Sequence, residues 1–156
     1  MAEVRERRHI AATPREVWKV IGEVERYPEW GAGVRTARLL DRPAGLGAAY
    51  EERGRLLLPV ATASRWRIVE FDPPRRQVHR AEAAPLAATF DRIFEVAADG
   101  TGATWVTLAV RYRPALGPAG RLLDRVALQA MQVRRLAQAL DGIERMAVRP
   151  RPKPVT

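Results

Sequence analysis

A long amphipathic helix near the C-terminal end constrains the fold of this chain more than any other feature. Gly117-Pro118 supplies its start, and the helical pattern continues to about Met146. At a rise of 1.5 Å per residue, about 29 residues would span roughly 43 Å. The predicted apolar stripe of this helix recurs at three- and four-residue steps and consists of Leu122, Val126, Ala130, Val133, Ala137 and Leu140. Such a stripe requires a large apolar partner.

Strand patterns in the middle of the chain predict that partner. Alternation and turn residues predict a first strand at 3–11, followed by strands near 34–41, 47–56, 60–71, 76–83, 88–97 and 103–113. The last two runs are apolar on one face and largely polar on the other, as in an antiparallel sheet with one wet face. Only the C-terminal helix is long enough to cover the apolar face. We therefore predict an α+β fold in which a curved antiparallel sheet of about seven strands wraps around that helix.

The segment between the first two strands predicts two short helices. Thr13 is placed to act as N-cap, Pro14 suits the first helical position, and Glu16 completes a capping box. Tyr27-Pro28 ends or interrupts this helical segment, because a residue that precedes proline avoids helical backbone angles.

Four motifs give the chain a resemblance to a known superfamily. The segments 12–18 (ATPREVW) and 25–30 (ERYPEW), the turn 71–76 (FDPPRR) and the hairpin 99–104 (DGTGAT) resemble the START/Bet v 1-like (SRPBCC) superfamily, in its polyketide cyclase/dehydrase-like branch. The resemblance runs in order over residues 3–146. It implies the helix-grip fold with an internal pocket for an apolar ligand. The superfamily includes polyketide aromatase/cyclases, lipid and sterol carriers, hormone receptors and chaperone co-factors.

The candidate ligand-binding residues lie where the predicted helix stripe would meet the apolar sheet face. We expect a cavity of roughly 300–1,000 Å³ there. Its candidate lining consists of Trp30, Tyr50, Trp66, Phe90, Phe94, Leu108, Tyr112, Val126, Ala130 and Val133. The same residues also fit an ordinary packed core, and the sequence leaves both interpretations open.

Few residues in the chain suit catalysis or metal binding. The sequence contains no cysteine and two histidines, so a metal site has almost no ligand supply, and we expect no metal and no cofactor. His79 is the best acid/base candidate by residue type, with an exposed strand histidine as the alternative. A lone strand residue such as Glu52, Arg92 or Arg111 could enter a pocket, although such residues more often face solvent. The catalytic residues, if there are any, stay unassigned.

Three functions are compatible with this sequence. The leading hypothesis is a protein that binds a small hydrophobic molecule, such as a polyketide-like, lipid or isoprenoid ligand. The alternative is a polyketide cyclase/dehydrase-type enzyme without metal or nucleotide cofactor, in which the pocket orients a flexible chain and polar groups move protons. Aromatase/cyclases of the superfamily place arginine, tyrosine and tryptophan in the pocket, and Trp30 and Trp66 occupy plausible positions. The third is a basic surface that binds an anionic membrane or nucleic acid.

The basic balance of the chain bears on the third hypothesis. The formal net charge is +9, from 27 basic and 18 acidic residues. The arginines are scattered along the whole sequence, which favours a solvated surface over a nucleic-acid partner and leaves peripheral membrane contact open.

The remaining expectations concern organisation and location. Residues 1–146 are predicted to form one domain, and 147–156 a flexible Pro/Arg-rich tail. The charged start, Met1 to Arg8, lacks a signal-peptide hydrophobic stretch, so we expect a cytoplasmic protein. Leu128, Met131 and Met146 lie on the otherwise polar side of the C-terminal helix, where they could join a dimer contact or be partly buried. The chain is expected to be a monomer or a homodimer through such a contact.

Overall fold

A curved seven-stranded sheet and one long helix make up most of the fold. The computed structural model describes residues 1–55, 62–83 and 87–148. The strands are β1 (Ala2–Ile10), β2 (Val34–Leu39), β3 (Ala49–Gly54), β4 (Thr62–Asp72), β5 (Arg76–Ala83), β6 (Ala87–Ala98) and β7 (Thr104–Pro114). They follow the order β1-β7-β6-β5-β4-β3-β2, and each neighbouring pair is antiparallel. The predicted helix-grip fold and number of strands are confirmed. Parts of the predicted strands 47–56 and 60–71, and the predicted tail from residue 149 onward, lie outside the described residues.

Two short helices follow β1, as the sequence predicts. Helix α1 covers Pro14–Gly22, and a 3₁₀ helix covers Val24–Glu29. The Thr13 hydroxyl accepts a hydrogen bond from the backbone N–H of Glu16, and the Glu16 carboxylate accepts one from the backbone N–H of Thr13. The predicted capping box is therefore confirmed, and it fixes where the chain turns from β1 into α1.

The C-terminal helix (117–147) consists of three consecutive segments: Gly117–Leu123, a π-helical stretch Asp124–Leu128, and Gln129–Ala147. The prediction of which helix face meets the sheet is wrong over most of the helix. Val126 is 73% exposed and Val133 is 40% exposed, and Ala130 also faces solvent. The buried face consists of Asp124, Leu128, Gln132, Leu136, Ala139, Leu140, Gly142 and Ile143.

The physical reason is that the inward face carries polar residues. Asp124 and Gln132 are buried, and they interrupt the apolar pattern on the side that faces the sheet. The predicted stripe is more regularly apolar, but it lies on a different side of the helix. Of its residues, only Leu140 is fully buried. Leu128 belongs to the core, and Met131 and Met146 are partly buried against it, as the burial alternative expects.

A close approach between the C-terminal helix and the end of the 3₁₀ helix positions the first residue of the site. A Cβ at Gly142 would lie 2.6 Å from both Cα and Cβ of Trp30. Because real Cβ contacts are not this short, only glycine permits the two segments to meet. Trp30 is thereby held against the helix with its ring turned toward the sheet, where it lies 6.1 Å from the ring of Phe94.

Candidate ligand-binding cavity

A cavity of about 80 Å³ lies between the sheet and the C-terminal helix. The exit of the 3₁₀ helix, strands β3, β4, β6 and β7, and the helix residues from Gln132 to Ala139 contribute its lining. The volume is smaller than the roughly 300–1,000 Å³ typical of ligand sites. In this conformation the cavity therefore accommodates a small molecule or one portion of a longer one.

Most of the cavity wall is apolar. Phe90 and Phe94 of β6 and Leu108 of β7 contribute from the sheet, and Leu136 and Ala139 contribute from the helix. The register places Phe94 directly opposite Leu108, so the two side chains share the concave face. Binding an apolar ligand against such walls is favourable, because it removes apolar surface from water. A polar ligand gains little there.

The ten residues predicted to bind ligand occupy three different environments. Four of them line the cavity: Trp30, Phe90, Phe94 and Leu108. Three are fully buried outside the cavity lining: Tyr50, Trp66 and Tyr112. The helix residues Val126, Ala130 and Val133 face solvent, because the C-terminal helix presents its other side to the sheet.

The three aromatic residues outside the lining are joined through Phe90 in a continuous row of ring contacts. The rings of Tyr50 and Trp66 lie 6.3 Å apart, those of Trp66 and Phe90 lie 5.7 Å apart, and Phe90 continues to Tyr112 at 5.7 Å. These distances are typical of favourable aromatic pairs. These aromatic rings pack behind Phe90 and so support the wall of the cavity.

A buried ion pair crosses the concave face of the sheet. Arg92 of β6 donates two hydrogen bonds to the carboxylate of Glu52 on β3, with Nη1–Oε2 and Nη2–Oε1 distances of 2.5 and 2.9 Å. Strands β4 and β5 lie between the two partners, so the contact requires the strong curvature of the sheet. Burial acts to lower the pKa of Arg92, but the neighbouring Glu52 more than offsets it, so the guanidinium stays charged. Both residues line the cavity.

The ring of Trp66 packs against the guanidinium of this ion pair. The Arg92 guanidinium carbon lies 3.9 Å from the centre of the Trp66 ring, a cation–π arrangement. The indole N–H of Trp66 donates a hydrogen bond to the Ser64 hydroxyl at 2.9 Å, and Ser64 also lines the cavity. Trp66 thus contacts two polar residues of the lining, Arg92 and Ser64, although the cavity does not reach its own ring.

His79 is fully buried and lies outside the cavity lining. The Tyr50 hydroxyl donates to His79 Nδ1 at 2.7 Å, and His79 Nε2–H donates to Gln77 Oε1 at 3.0 Å. Burial, with a smaller contribution from Arg92, lowers the pKa of His79 to about 3. The interpretation as an exposed strand histidine is therefore wrong. The imidazole is neutral, both of its nitrogens are hydrogen-bonded, and it lies behind the cavity wall. It is therefore poorly placed for acid/base catalysis in the cavity.

Three buried hydrogen-bond donors around the cavity have no partner within the described part of the chain. They are the hydroxyl of Tyr27, the indole Nε1 of Trp30 and the side-chain Nε2 of Gln132. Burial raises the pKa of Tyr27 well above its usual value, so its hydroxyl stays protonated. An unsatisfied buried donor costs on the order of 1–3 kcal/mol. A ligand with acceptor oxygens would relieve that cost.

The cavity opens on one side, where its lining includes exposed residues. Gly33 and Arg55 are exposed, and Arg135 of the C-terminal helix is half-buried beside them. A Cβ at Gly33 would lie 3.8 Å from Nη2 of Arg135. Burial, and then the charge of Arg92, lower the pKa of Arg135. Residues 56–61, which connect Arg55 to the next lining residue, Thr62, lie outside the described residues.

The alternation of its strand contains a signal for Arg92. Phe90, Phe94 and Val96 share one face of this strand, and residue 92 has the same parity. The same argument places Glu52 on the face of Tyr50 in β3. Arg135 carries no comparable signal, because its position depends on which side of the C-terminal helix faces inward.

Residues 1–55, 62–83 and 87–148 contain neither a metal-binding cluster nor a helix suited to span a membrane. No group of three or more His, Cys, Asp or Glu side chains in these ranges is arranged to hold a metal ion. In the same part of the chain, no helix combines the length and apolar character needed to cross a membrane.

Surface arginines lie beside carboxylates at several places on the sheet. Arg80 donates two hydrogen bonds to Asp91 at 2.9 and 3.0 Å, and Arg67 donates to Glu82 at 2.7 Å. The positive charge at these positions is therefore locally matched. The Arg67–Glu82 pair is exposed, and exposed pairs contribute little to stability.

A family model places the chain among known proteins. The family described as polyketide cyclase / dehydrase and lipid transport matches residues 1–147. A search of curated proteins gives no match.

Solved structures with the same fold include a protein from Thermus thermophilus. It has a TM-score of 0.78 and 18% identity, over 94% of this chain and 97% of that chain. The Zhui aromatase/cyclase from a Streptomyces strain has a TM-score of 0.73 and 17% identity, over 92% and 94% of the two chains. A START superfamily protein from Mycobacterium smegmatis has a TM-score of 0.72 and 14% identity, over 90% and 94%. At these identities the similarity shows the shared fold.

Proposed function

We propose that this chain, which belongs to the polyketide cyclase / dehydrase and lipid transport family, binds a small hydrophobic ligand in the cavity between its sheet and its C-terminal helix. A polyketide-like, lipid or isoprenoid molecule fits this description. The observation that carries the proposal is the mostly apolar cavity lined by Phe90, Phe94, Leu108, Leu136 and Ala139.

The small volume of the cavity limits how a ligand is held. About 80 Å³ is below the range of sites that enclose a drug-sized molecule. A longer ligand would place one end among the apolar residues and extend past Gly33 and Arg55 at the open side. Alternatively, side chains around the cavity change rotamer when the ligand binds and so enlarge the cavity. Such rotamer changes are common at binding interfaces.

A matched pair of substitutions on one helix tests the proposal. Ala139 lines the cavity, whereas Ala130 faces solvent on the same helix. Ala139→Leu fills the cavity with an isobutyl group and should weaken binding of the neutral probe 1-octanol at least tenfold, or about 1.4 kcal/mol. Ala130→Leu should leave the affinity unchanged. Isothermal titration calorimetry measures both, and tryptophan fluorescence provides a second readout because Trp30 lines the cavity.

The result that would contradict the proposal is equally specific. Wild-type protein that binds neither 1-octanol nor its carboxylate analogue octanoate, or Ala139→Leu protein that is folded and binds as well as the wild type, would locate ligand binding elsewhere. Native mass spectrometry of freshly purified protein complements the titration, since a tightly held natural ligand would appear as a mass adduct.

A second candidate function is a polyketide cyclase/dehydrase-type enzyme that uses the same cavity. The Tyr27 hydroxyl favours it, because it is a buried donor without a partner, stays protonated and lines the cavity. Such a donor can hydrogen-bond the oxygen of a substrate carbonyl as negative charge develops there. Arg92, charged and held by Glu52, lies in the same wall.

A β-hydroxyketone probe separates enzyme from carrier. Dehydration removes a proton from the carbon next to the carbonyl and releases the hydroxyl as water, and the conjugated enone product absorbs in the ultraviolet. A rate above that of buffer, lost in Tyr27→Phe but not in the exposed control Thr101→Val, would favour the enzyme. Binding of the probe without turnover would favour the carrier.

A further inference from the structure

The cavity contains a positive charge that has no ion-pair partner of its own among the residues that the structure describes. Arg135 lines the cavity and is half-buried, and no carboxylate of the described ranges forms an ion pair with it. The carboxylate of Glu52 already accepts both hydrogen bonds of Arg92. The charges lining the interior therefore sum to one excess cation, and exposed Arg55 at the open side adds to it. His79 does not change this sum, because it is neutral and lies behind the wall.

Two neutral donors that find no acceptor in residues 1–55, 62–83 and 87–148 lie in the same lining. Gln132 is one helical turn from Arg135 on the C-terminal helix, and its Nε2 is buried without an acceptor. The Nε1 of Trp30 is the second. Gln132 is 3% exposed and Trp30 is 8% exposed, so water does not readily satisfy either group. The arrangement offers one cation and two N–H donors around a volume whose other walls are apolar.

We propose that the ligand of this cavity carries a carboxylate, and that Arg135 binds it. An oxyanion neutralises the excess charge and accepts several hydrogen bonds at once, which the N–H groups of Gln132 and Trp30 can donate. A neutral hydrocarbon would leave all three groups unpaired next to it. The inference rests on the proposed function and narrows it: the ligand class becomes an apolar molecule with a single anionic end.

Octanoate and 1-octanol test the proposal as a matched pair, because they share an apolar chain and differ in the charge of the head group. At pH 8, wild-type protein should bind octanoate at least tenfold more tightly than 1-octanol in calorimetry. Arg135→Gln should remove that preference, so that both probes bind with equal affinity. Arg135→Lys should retain part of it, because the charge remains. The control is Arg134→Gln, which removes the same charge from the neighbouring, exposed position and should keep the full preference.

The outcomes distinguish this inference from the proposed function. If neither probe binds, the proposed function itself fails. If wild-type protein binds both probes equally, the cavity binds apolar chains but the carboxylate assignment is wrong. If Arg134→Gln and Arg135→Gln reduce the preference to the same extent, long-range attraction by the basic surface explains it, and Arg135 is not the binding group.

Discussion

Lowering the pH from 8 to 5 should destabilise the fold through His79. In the folded state this imidazole accepts from the Tyr50 hydroxyl and donates to Gln77, an arrangement that requires the neutral form. Burial lowers its pKa to about 3, against 6.5 for an unperturbed histidine. Between these two values the unfolded chain binds more protons than the folded one. The stability is therefore fully present above pH 6.5 and is lost as the pH falls.

The magnitude follows from the difference between the two pKa values. One pKa unit corresponds to about 1.4 kcal/mol, so at pH 5, roughly 1.5 units below the unfolded value, the loss is about 2 kcal/mol. The loss would approach about 5 kcal/mol if the protein remained folded to pH 3. Unperturbed carboxyl groups titrate mainly below pH 5, near 4, so they contribute little to the change between pH 8 and 5.

Urea unfolding at the two pH values, followed by tryptophan fluorescence, measures the effect. His79→Gln should abolish most of the fall, because glutamine cannot gain a proton. His9→Gln is the control, since it removes the only other histidine, a half-exposed one that pairs with Asp99. An unfolding free energy that does not decrease from pH 8 to 5 in wild-type protein would refute the reasoning. So would a His79→Gln variant with the same decrease. Nitrogen NMR of the imidazole provides a test without mutation: His79 should stay neutral at pH 5.

Three further substitutions probe the elements that position the site. Thr13→Ala should lower the unfolding free energy by on the order of 1 kcal/mol, because the capping box loses its hydroxyl acceptor. Glu52→Gln should cost roughly 3–5 kcal/mol, because it leaves the buried Arg92 without its counter-ion. Gly142→Ala should cost about 1–3 kcal/mol, because the new Cβ would meet the backbone of Trp30. Urea denaturation measures all three.

Each of these substitutions has a matched control. Thr13→Ser keeps the hydroxyl and should remain near the wild-type stability. Glu51→Gln removes an exposed carboxylate from the adjacent position of β3 and should change stability by less than about 1 kcal/mol. Gly22→Ala places a Cβ where no atom lies within 4 Å and should not destabilise through a clash. Equal effects in a variant and its control would contradict the corresponding argument.

The sequence predicts the strands and the first helix well because their signals are local. Alternation in β6 and β7, the turn at 99–102 and the capping box at Thr13 each depend on residues close together in the chain. These local patterns agree with one another, and the seven strands follow in order.

The orientation of the C-terminal helix could not be predicted in the same way. Its inward face includes Asp124, whose carboxylate accepts from the Tyr112 hydroxyl and from Gln129, and Gln132, which lines the cavity. Choosing the more apolar side assumes that the interior is uniformly apolar. That assumption fails where a buried polar residue has a tertiary partner or lines a cavity.

The cavity itself depends on contacts that only the folded sheet creates. Glu52 and Arg92 are 40 residues apart in sequence and meet across two intervening strands. Strand parity places each of them on the concave face, but parity does not predict that the two side chains meet. It also does not predict that Tyr50 and Trp66 lie behind the cavity while Phe90 and Phe94 line it.

The position of a bound apolar probe shows whether ligand binds between the sheet and the C-terminal helix. Nuclear Overhauser effects between 1-octanol and the protein would identify the side chains that contact its chain. We expect contacts with Phe94, Leu108 and Ala139, which line the cavity, and none with Val126 on the exposed side of the C-terminal helix. Contacts confined to Val126 and its exposed neighbours would overturn the proposed function, because they would place the ligand outside the sheet and helix that are proposed to enclose it.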